Sequence, residues 1–264
     1  MGFYDRAYAR RDDPFKGRVV VWIIGITIAA YIVQGFLLGR GSVDLARTFG
    51  VVPRLLVGRG WVWQIVTHAL LHEPQAIQHL AFNMIFLYWL GSDVAEIYGA
   101  RRFLFLYTAG AVACAVTYAA TGYASGVTDV PAIGASGAIM AVAVVAAHLF
   151  PTRTVLFMWV LPLPLWMLIT LYVGLDVYYP LAGLRPWLGS AGHLGGALFG
   201  LLFYRLHLDL PGFEPVLRSL RALIQRTPSS ADVDRILDKI SRQGIGDLTE
   251  RERSVLRRAG RAKE

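Results

Sequence analysis

The apolar stretch IGASGAIMAVAVVAAHLF occupies residues 133–150, and a serine, Ser136, stands close to its start. A second apolar stretch, LGSAGHLGGALFGLLFYRLH over residues 188–207, carries His193 at a similar position. Reactive polar groups inside membrane-spanning helices are costly and usually functional. A serine and a histidine are also the smallest set that activates a hydroxyl nucleophile. The two stretches therefore predict a membrane protein with a hydrolytic centre inside the bilayer.

The composition places the chain in a lipid bilayer. Of its 264 residues 55% are hydrophobic and 17% charged, and the mean hydropathy is +0.48, which is far from an average soluble domain. The net charge of +8 does not indicate nucleic-acid binding, because half of the 26 Lys and Arg residues lie near the C-terminus among acidic residues. The single cysteine, Cys114, excludes an intramolecular disulfide.

Six apolar segments are long enough to cross a bilayer as helices, which takes about 20 residues. Most basic residues fall at helix ends that share one side, and the positive-inside rule makes that side cytoplasmic. The first segment is interpreted as a retained anchor, because no convincing cleavage site follows it. The predicted spans are 19–38, 79–98, 103–121, 134–150, 154–173 and 188–207.

These spans predict three parts. Residues 1–18 form a cytoplasmic N-terminal segment, and residues 19–208 form an all-α membrane domain of six helices with a long extracytoplasmic loop at 39–78. Apolar side chains in this loop favour a position in the membrane interface. Residues 209–264 form a cytoplasmic tail with a short helical hairpin over 231–259. In this tail, one helix face carries Val233, Ile236, Leu237 and Ile240, and a capping box is formed by Thr249 and Glu252.

The predicted orientation brings the reactive residues to one depth. Helices two, four and six all run inwards from the extracytoplasmic side. At a rise of about 1.5 Å per residue, His79, Ser136 and His193 are therefore predicted to lie at similar shallow depths. Small residues beside them let helices four and six approach closely. The glycines that serve this contact are Gly134, Gly137, Gly192, Gly196 and Gly200.

His79 and Asn83 stand four residues apart and therefore share one helix face. Two hydrogen-bond donors on an apolar face are typical of a site that stabilises the oxyanion of acyl transfer. The alternative is a polar pair that links the first loop to helix two. The spacing alone leaves both interpretations open.

Several histidines raise the question of a metal site. The candidate ligands lack a His-Glu-x-x-His spacing, and His148 lies at the far end of helix four. We therefore predict no metal and no other cofactor, and we expect His68 and His72 to brace the first loop through hydrogen bonds. The ligand candidates are His68, His72, Glu73, His79, His148 and His193.

The carboxylates are predicted to lie away from this centre. Asp93 and Glu96 stand towards the cytoplasmic end of helix two, and Asp176 is placed beyond the end of helix five. None of them is expected to complete a triad. The sequence therefore predicts a Ser136–His193 dyad.

An ordered set of motifs connects these residues between residues 41 and 207. They are Trp63-Gln64, Thr67-His68-Ala69-Leu70-Leu71-His72, His79-x-x-x-Asn83-Met84, Gly134-Ala135-Ser136-Gly137 and His193-x-x-Gly196-x-x-x-Gly200. This set resembles the rhomboid intramembrane serine proteases, whereas the tail lies outside the resemblance.

The resemblance implies a six-helix bundle whose substrates are membrane-anchored proteins. Ser136 would attack a peptide carbonyl, and His193 would act first as general base and then as general acid. His79, Asn83 and the Ser136 backbone N–H would hold the oxyanion. Helix five is often assigned to lateral substrate access in this family. Met140 occupies a position where family members commonly carry an aromatic ring on the catalytic histidine, so that His193 is held either less firmly or by a neighbour such as Phe199.

Two other function classes are compatible with some of these features. A catalytically inactive relative would bind membrane-protein clients, but such relatives usually lack the serine or the histidine. A transporter would need polar groups across the whole bilayer, whereas these cluster at one depth. The Arg-rich composition favours a bacterial plasma membrane, with both termini cytoplasmic and the site towards the extracytoplasmic side. The partners expected are lipid and membrane-protein substrates, and the oligomeric state stays open.

Overall fold

The computed structural model describes residues 18–38, 44–157, 160–184, 187–208, 230–243, 247–249 and 252. The chain divides into two compact units, residues 1–209 and residues 210–264. The predicted N-terminal segment lies outside the described residues except for Arg18, and so do residues 209–229 of the predicted tail.

The first unit consists mainly of apolar helices. Two helices are long and apolar enough to cross a membrane, at Arg18–Leu37 and Ile77–Ala124, and shorter apolar helices lie at Ser136–Leu149 and Leu165–Leu181. The described elements in chain order are α1 (Arg18–Leu38), α2 (Leu45–Phe49), α3 (Pro53–Gly58), α4 (Gln64–Thr67) with a 3₁₀ turn (His68–Leu70), α5 (Ile77–Ala124), α6 (Ser136–Leu149), β1 (Thr154–Phe157), β2 (Leu161–Pro164), α7 (Leu165–Leu181) and α8 (Trp187–Leu206).

Helix α5 contains the second and third predicted spans. A single residue, Gly99, interrupts the helix with φ 77° and ψ 161°. Glycine tolerates this positive φ without a Cβ clash, so the chain changes direction there without a longer loop. The loop expected between the two spans is therefore reduced to a kink, and the parts of α5 before and after Gly99 are called its first and second halves.

Small residues allow the second half of α5, α6 and α8 to pack closely. A Cβ on Gly137 would collide with the Cys114 side chain of α5, and a Cβ on Gly196 would collide with the backbone carbonyl of Gly137. Gly200 meets the backbone of Ala141 in the same way. Close backbone approach of this kind is the usual basis of helix association in membranes. Of the five glycines expected to join helices four and six, Gly137, Gly196 and Gly200 lie at this contact, whereas Gly192 faces Cys114 of α5 and Gly134 faces His79.

The fifth predicted span is wrong in its position. Residues 154–157 and 161–164 pair as two antiparallel strands, in which Thr154 pairs with Pro164 and Leu156 pairs with Pro162. Proline lacks the N–H that a helix interior requires, and it is tolerated on an edge strand. Helix α7 consequently begins only after Pro164 and runs to Leu181. The helix is displaced towards the C-terminus, and this displacement places Asp176 inside it.

The long first loop is folded against the segment that precedes Ser136. Gln64 is fully buried, accepts a hydrogen bond from Val52 N at 3.1 Å and donates one to Arg47 O at 2.9 Å. Val51 forms a β-bridge with Ala132. This packing ties the loop to the start of α6, and its predicted place in the membrane interface stays a prediction.

The second unit contains helix α9 (Ser230–Gln243). The predicted capping box is formed, since Thr249 N donates to Glu252 at 2.8 Å and Glu252 N donates to Thr249 Oγ1 at 3.2 Å. The Thr249 N–H holds the pKa of Glu252 at about 2. Ile236 is buried, whereas Leu237 is half exposed, so the predicted apolar face is narrower than expected. Residues 253–259 of the predicted hairpin lie outside the described residues.

Candidate active site

Ser136 and His193 meet at the contact between α6 and α8. Ser136 is the first residue of α6, and its Oγ lies 2.8 Å from Nε2 of His193. The distance is that of a direct hydrogen bond. The close crossing of Gly196 over Gly137 brings the two backbones near enough for these short side chains to touch. The structure thus joins the two residues that the sequence predicts to meet.

Gly134 shapes the turn that presents Ser136. Its φ is +125°, a backbone conformation that residues other than glycine rarely adopt. A Cβ at this position would lie 3.0 Å from Cε1 and 3.1 Å from Nε2 of His79. The Gly134 N–H donates to the carbonyl of His68 at 3.0 Å. Gly134 therefore allows the first loop, His79 and the serine to come together.

The two predicted oxyanion donors occupy different environments. The ring of His79 lies against Gly134, close to Ser136. The amide of Asn83 is buried and donates from Nδ2 to the carbonyl of His79 at 2.9 Å. An amide nitrogen carries two N–H donors, so this bond leaves one for another acceptor. The assignment of both residues to an oxyanion site stays a prediction.

His68 and His72 are buried beneath this turn. His68 Nδ1 lies 3.0 Å from the carbonyl of Gln64, and Ala135 N donates to His72 Nε2 at 3.5 Å. His72 also contacts the ring of His79 edge-on, with centroids 5.1 Å apart. Burial lowers the pKa of both loop histidines to about 4, so both rings are neutral at pH 7. They brace the loop, as their spacing predicts.

Asp176 is the site residue that sequence reasoning missed. Its two carboxylate oxygens lie 3.2 and 3.3 Å from Nδ1 of His193, and it is 8% exposed. The expectation that no carboxylate could complete a triad is wrong, because it depended on the misplaced fifth span. One signal was present in the sequence, since Asp176 is the only charged residue between Leu165 and Leu181. An isolated carboxylate in an apolar helix indicates a functional contact.

Phe199, one candidate to hold His193 in place of a ring at Met140, has its ring contacts with other aromatic residues. Met140 is partly buried and packs on the hydrophobic core. Phe199 lies edge-on against Phe105, with centroids 6.0 Å apart, and also contacts Phe203. The side chain that contacts Nδ1 of His193, the ring nitrogen not bonded to Ser136, is Asp176 of α7.

The arrangement is suited to nucleophilic chemistry. A proton on His193 Nδ1 would be shared with Asp176, and Nε2 would then accept the hydroxyl proton of Ser136. This is the geometry in which a base activates a serine. Within the described ranges, no group of three His, Cys, Asp or Glu side chains is arranged to hold a metal ion.

Helical spans surrounding a partly buried Ser–His pair define an α-helical membrane protein with a polar site between its helices. Comparison with known proteins then identifies the class: the Rhomboid domain family model matches residues 59–209, more than half of the chain. The protein therefore belongs to the rhomboid family. A second model, of a family of unknown function (DUF6576), matches residues 224–261 in the tail.

Individual relatives agree with this family. The chain is 34% identical over 151 residues to the mitochondrial RHOMBOID-like protein 12 of Arabidopsis thaliana, covering 52% of this chain and 44% of that protein. It is 28% identical over 189 residues to the rhomboid protease GluP of Bacillus subtilis, covering 70% of this chain and 34% of that protein. It is also 31% identical over 134 residues to the mitochondrial rhomboid protein 1 of Saccharomyces cerevisiae, with coverage of 49% and 38%. The chain thus spans less than half the length of these relatives.

Proposed function

We propose that this protein is a serine endopeptidase that cleaves membrane-anchored proteins in or near a transmembrane segment. The observation that carries the proposal is the 2.8 Å contact between Ser136 Oγ and His193 Nε2 within an apolar helical bundle. Membership of the rhomboid family and the similarity to a relative named as a protease support it.

The chemistry follows from the position of each group. Ser136 Oγ attacks the scissile carbonyl carbon while its proton passes to His193 Nε2, and the C–O bond forms as the carbonyl oxygen becomes an oxyanion. His79, Asn83 and the Ser136 N–H stabilise that oxyanion. His193 then returns the proton to the leaving amine, and the C–N bond breaks. Water, deprotonated by the same nitrogen, hydrolyses the acyl-enzyme and regenerates the serine.

Substrate is proposed to arrive laterally from the bilayer. Between the first half of α5 and α7, Phe86 and Tyr172 contact each other edge-on with ring centroids 6.4 Å apart. Both side chains belong to apolar helices that face lipid in a six-span topology. Movement of these two rings would open a path from the membrane to Ser136 without unfolding either helix.

The cellular arrangement completes the proposal. Residues 19–208 form the six-span catalytic domain, and both termini are cytoplasmic, following the distribution of basic residues. The site then opens towards the extracytoplasmic side of a bacterial plasma membrane. Relatives with mitochondrial names show that the family also occurs in organelles. The tail is proposed to be a separate cytoplasmic unit.

The proposal is tested with the full chain purified in detergent and a reporter protein that contains one transmembrane segment. Ser136→Ala and His193→Ala should abolish cleavage, and Ser136→Ala should abolish covalent labelling by a fluorophosphonate. The exposed Ser125 lies outside the site, so Ser125→Ala serves as the matched control and should leave both signals unchanged. Undiminished cleavage by Ser136→Ala would refute the mechanism. Folded wild-type protein that neither cleaves nor labels but retains the reporter would favour the client-binding alternative.

A further inference from the structure

Asp176 is an unusual residue for its position in α7. The helix buries Leu165, Leu168 and Ile169 in its first turns. Beyond them, Asp176 is the only buried residue of α7. The neighbouring side chains Leu175 and Val177 are each more than a third exposed. A carboxylate turned inwards from an otherwise lipid-facing helix segment is costly unless a polar partner receives it.

His193 is the polar group that this carboxylate contacts. Both oxygens lie nearly equidistant from Nδ1, at 3.2 and 3.3 Å, so the carboxylate faces the ring edge opposite the serine. The Asp176 side chain is 11% exposed and the His193 side chain 31% exposed, so water competes only weakly for the contact. The three side chains Ser136, His193 and Asp176 therefore form one line of polar contacts across α6, α8 and α7.

We propose that Asp176 is a positioning residue for His193, so that the site works as a Ser–His–Asp triad and not as a dyad. The inference rests on the proposed protease function. By accepting a hydrogen bond from Nδ1–H, Asp176 leaves the Nε2 lone pair directed at Ser136 Oγ, and it stabilises the imidazolium that forms when Nε2 takes the serine proton. Asp176 itself exchanges no proton with substrate.

The position of Asp176 makes the orientation of the base depend on a third helix. Ser136 and His193 are held by the tight glycine crossing of α6 and α8, whereas Asp176 belongs to α7. Met140, one turn after Ser136 in α6, has no aromatic ring to stack on His193. The Asp176 carboxylate instead fixes the imidazole by accepting a hydrogen bond from Nδ1 of His193.

The test compares variants of matched shape. Asp176→Asn preserves the volume of the side chain, but its amide can donate to Nδ1 and so favour the wrong tautomer. We expect kcat to fall roughly 10²- to 10⁴-fold with little change in KM, and the rate of fluorophosphonate labelling to fall in parallel. Asp176→Glu retains the carboxylate and should recover part of the lost rate. Asp93→Asn, at the ion pair with Arg153 away from the serine, is the control and should retain wild-type kcat.

A spectroscopic readout separates positioning from stability and from activity. In ¹⁵N-histidine spectra of the full chain, assigned with His193→Gln, wild-type His193 should carry its proton on Nδ1, and Asp176→Asn should shift the proton to Nε2. An Asp176→Asn protein with wild-type kcat and an unchanged tautomer would overturn the inference. An equal loss of kcat in Asp93→Asn, with lowered unfolding stability in both variants, would also overturn it. If Ser136→Ala cleaved normally, the protease proposal would fail, while the spectra would still decide whether Asp176 orients His193.

Discussion

Gly196 offers a direct perturbation of the site through its scaffold. It lies in α8 one turn after His193, and an added Cβ would fall on the carbonyl oxygen of Gly137, the residue after Ser136. This obstacle is backbone, so it cannot rotate away as a side chain would. Gly196→Ala must therefore push α6 and α8 apart at the point where the serine and the histidine meet.

The expected magnitudes follow from this geometry. Forced overpacking costs about 1–3 kcal/mol, and the better helix propensity of alanine offsets roughly 0.5–1 kcal/mol of it. The free energy of unfolding should therefore fall by about 1 kcal/mol, within a range of roughly 0–2.5 kcal/mol. The distance from Ser136 Oγ to His193 Nε2 is 2.8 Å, so a helix shift of about 1 Å would lengthen it beyond a hydrogen bond. A misplacement of about 1 Å at a reacting group can lower the rate roughly 10²-fold.

Two further glycines of α8 provide matched controls. Nothing lies within 4 Å of a Cβ at Gly189, so Gly189→Ala should be neutral or stabilising and should label at the wild-type rate. A Cβ at Gly200 would collide with the Ala141 carbonyl, one turn further from His193. Gly200→Ala should lose similar stability but less of the labelling rate.

The assay combines the rate constant for fluorophosphonate labelling of Ser136 with denaturant unfolding in detergent. Both are measured on wild type and on the three glycine variants. The reasoning would be refuted if Gly196→Ala labelled at the wild-type rate, or if Gly189→Ala were impaired to the same extent. Either result would mean that the α6–α8 crossing does not control the distance between Ser136 and His193.

Two more predictions follow from the loop histidines and the α5–α7 contact. The pKa of folded His68 and His72 is about 4, against 6.5 for the free side chain, so the unfolded chain binds more protons between these values. Each histidine's contribution to the unfolding free energy should be constant above pH 7 and fall between pH 6.5 and 4 by up to about 3 kcal/mol. Denaturant titrations across this range would contradict the prediction if the unfolding free energy showed no fall. Tyr172→Ala removes one ring of the contact with Phe86 and should speed cleavage of the transmembrane reporter while leaving fluorophosphonate labelling unchanged. Slower cleavage at unchanged labelling would argue against lateral access at this point.

Mean hydropathy along the sequence located most of the apolar helices, because nearly all residues of a helix that crosses lipid are apolar. The observed bounds of α1, α6 and α8 agree with the predicted spans to within two residues at each end. Averaged hydropathy placed the start of α7 too early, since residues 154–157 and 161–164 are mostly apolar yet pair as two β-strands. The position of each proline, and not the mean hydropathy, decided where that helix begins.

The candidate site was predictable to the extent that it depends on local sequence. Ser136, His193 and the flanking glycines are recognised from residue type, spacing and depth along each helix. The support around the base was not predictable in this way. Whether Phe199 can reach His193 depends on the rotation of α8 about its axis, and the structure places Phe199 against Phe105.

The sequence alone therefore determined an apolar helical chain, a Ser–His pair at matching depths and the small residues that allow close packing, because each depends on residues within one helix. Only the tertiary structure decided that Asp176 faces His193 and that His72 lies between Ala135 and His79. Contacts between helices depend on where each helix begins and how it is rotated about its axis. A shift of one residue turns a side chain by about 100° around the helix axis. Because the start of α7 was predicted too early, Asp176 was placed outside the helix and its contact with His193 was not predicted.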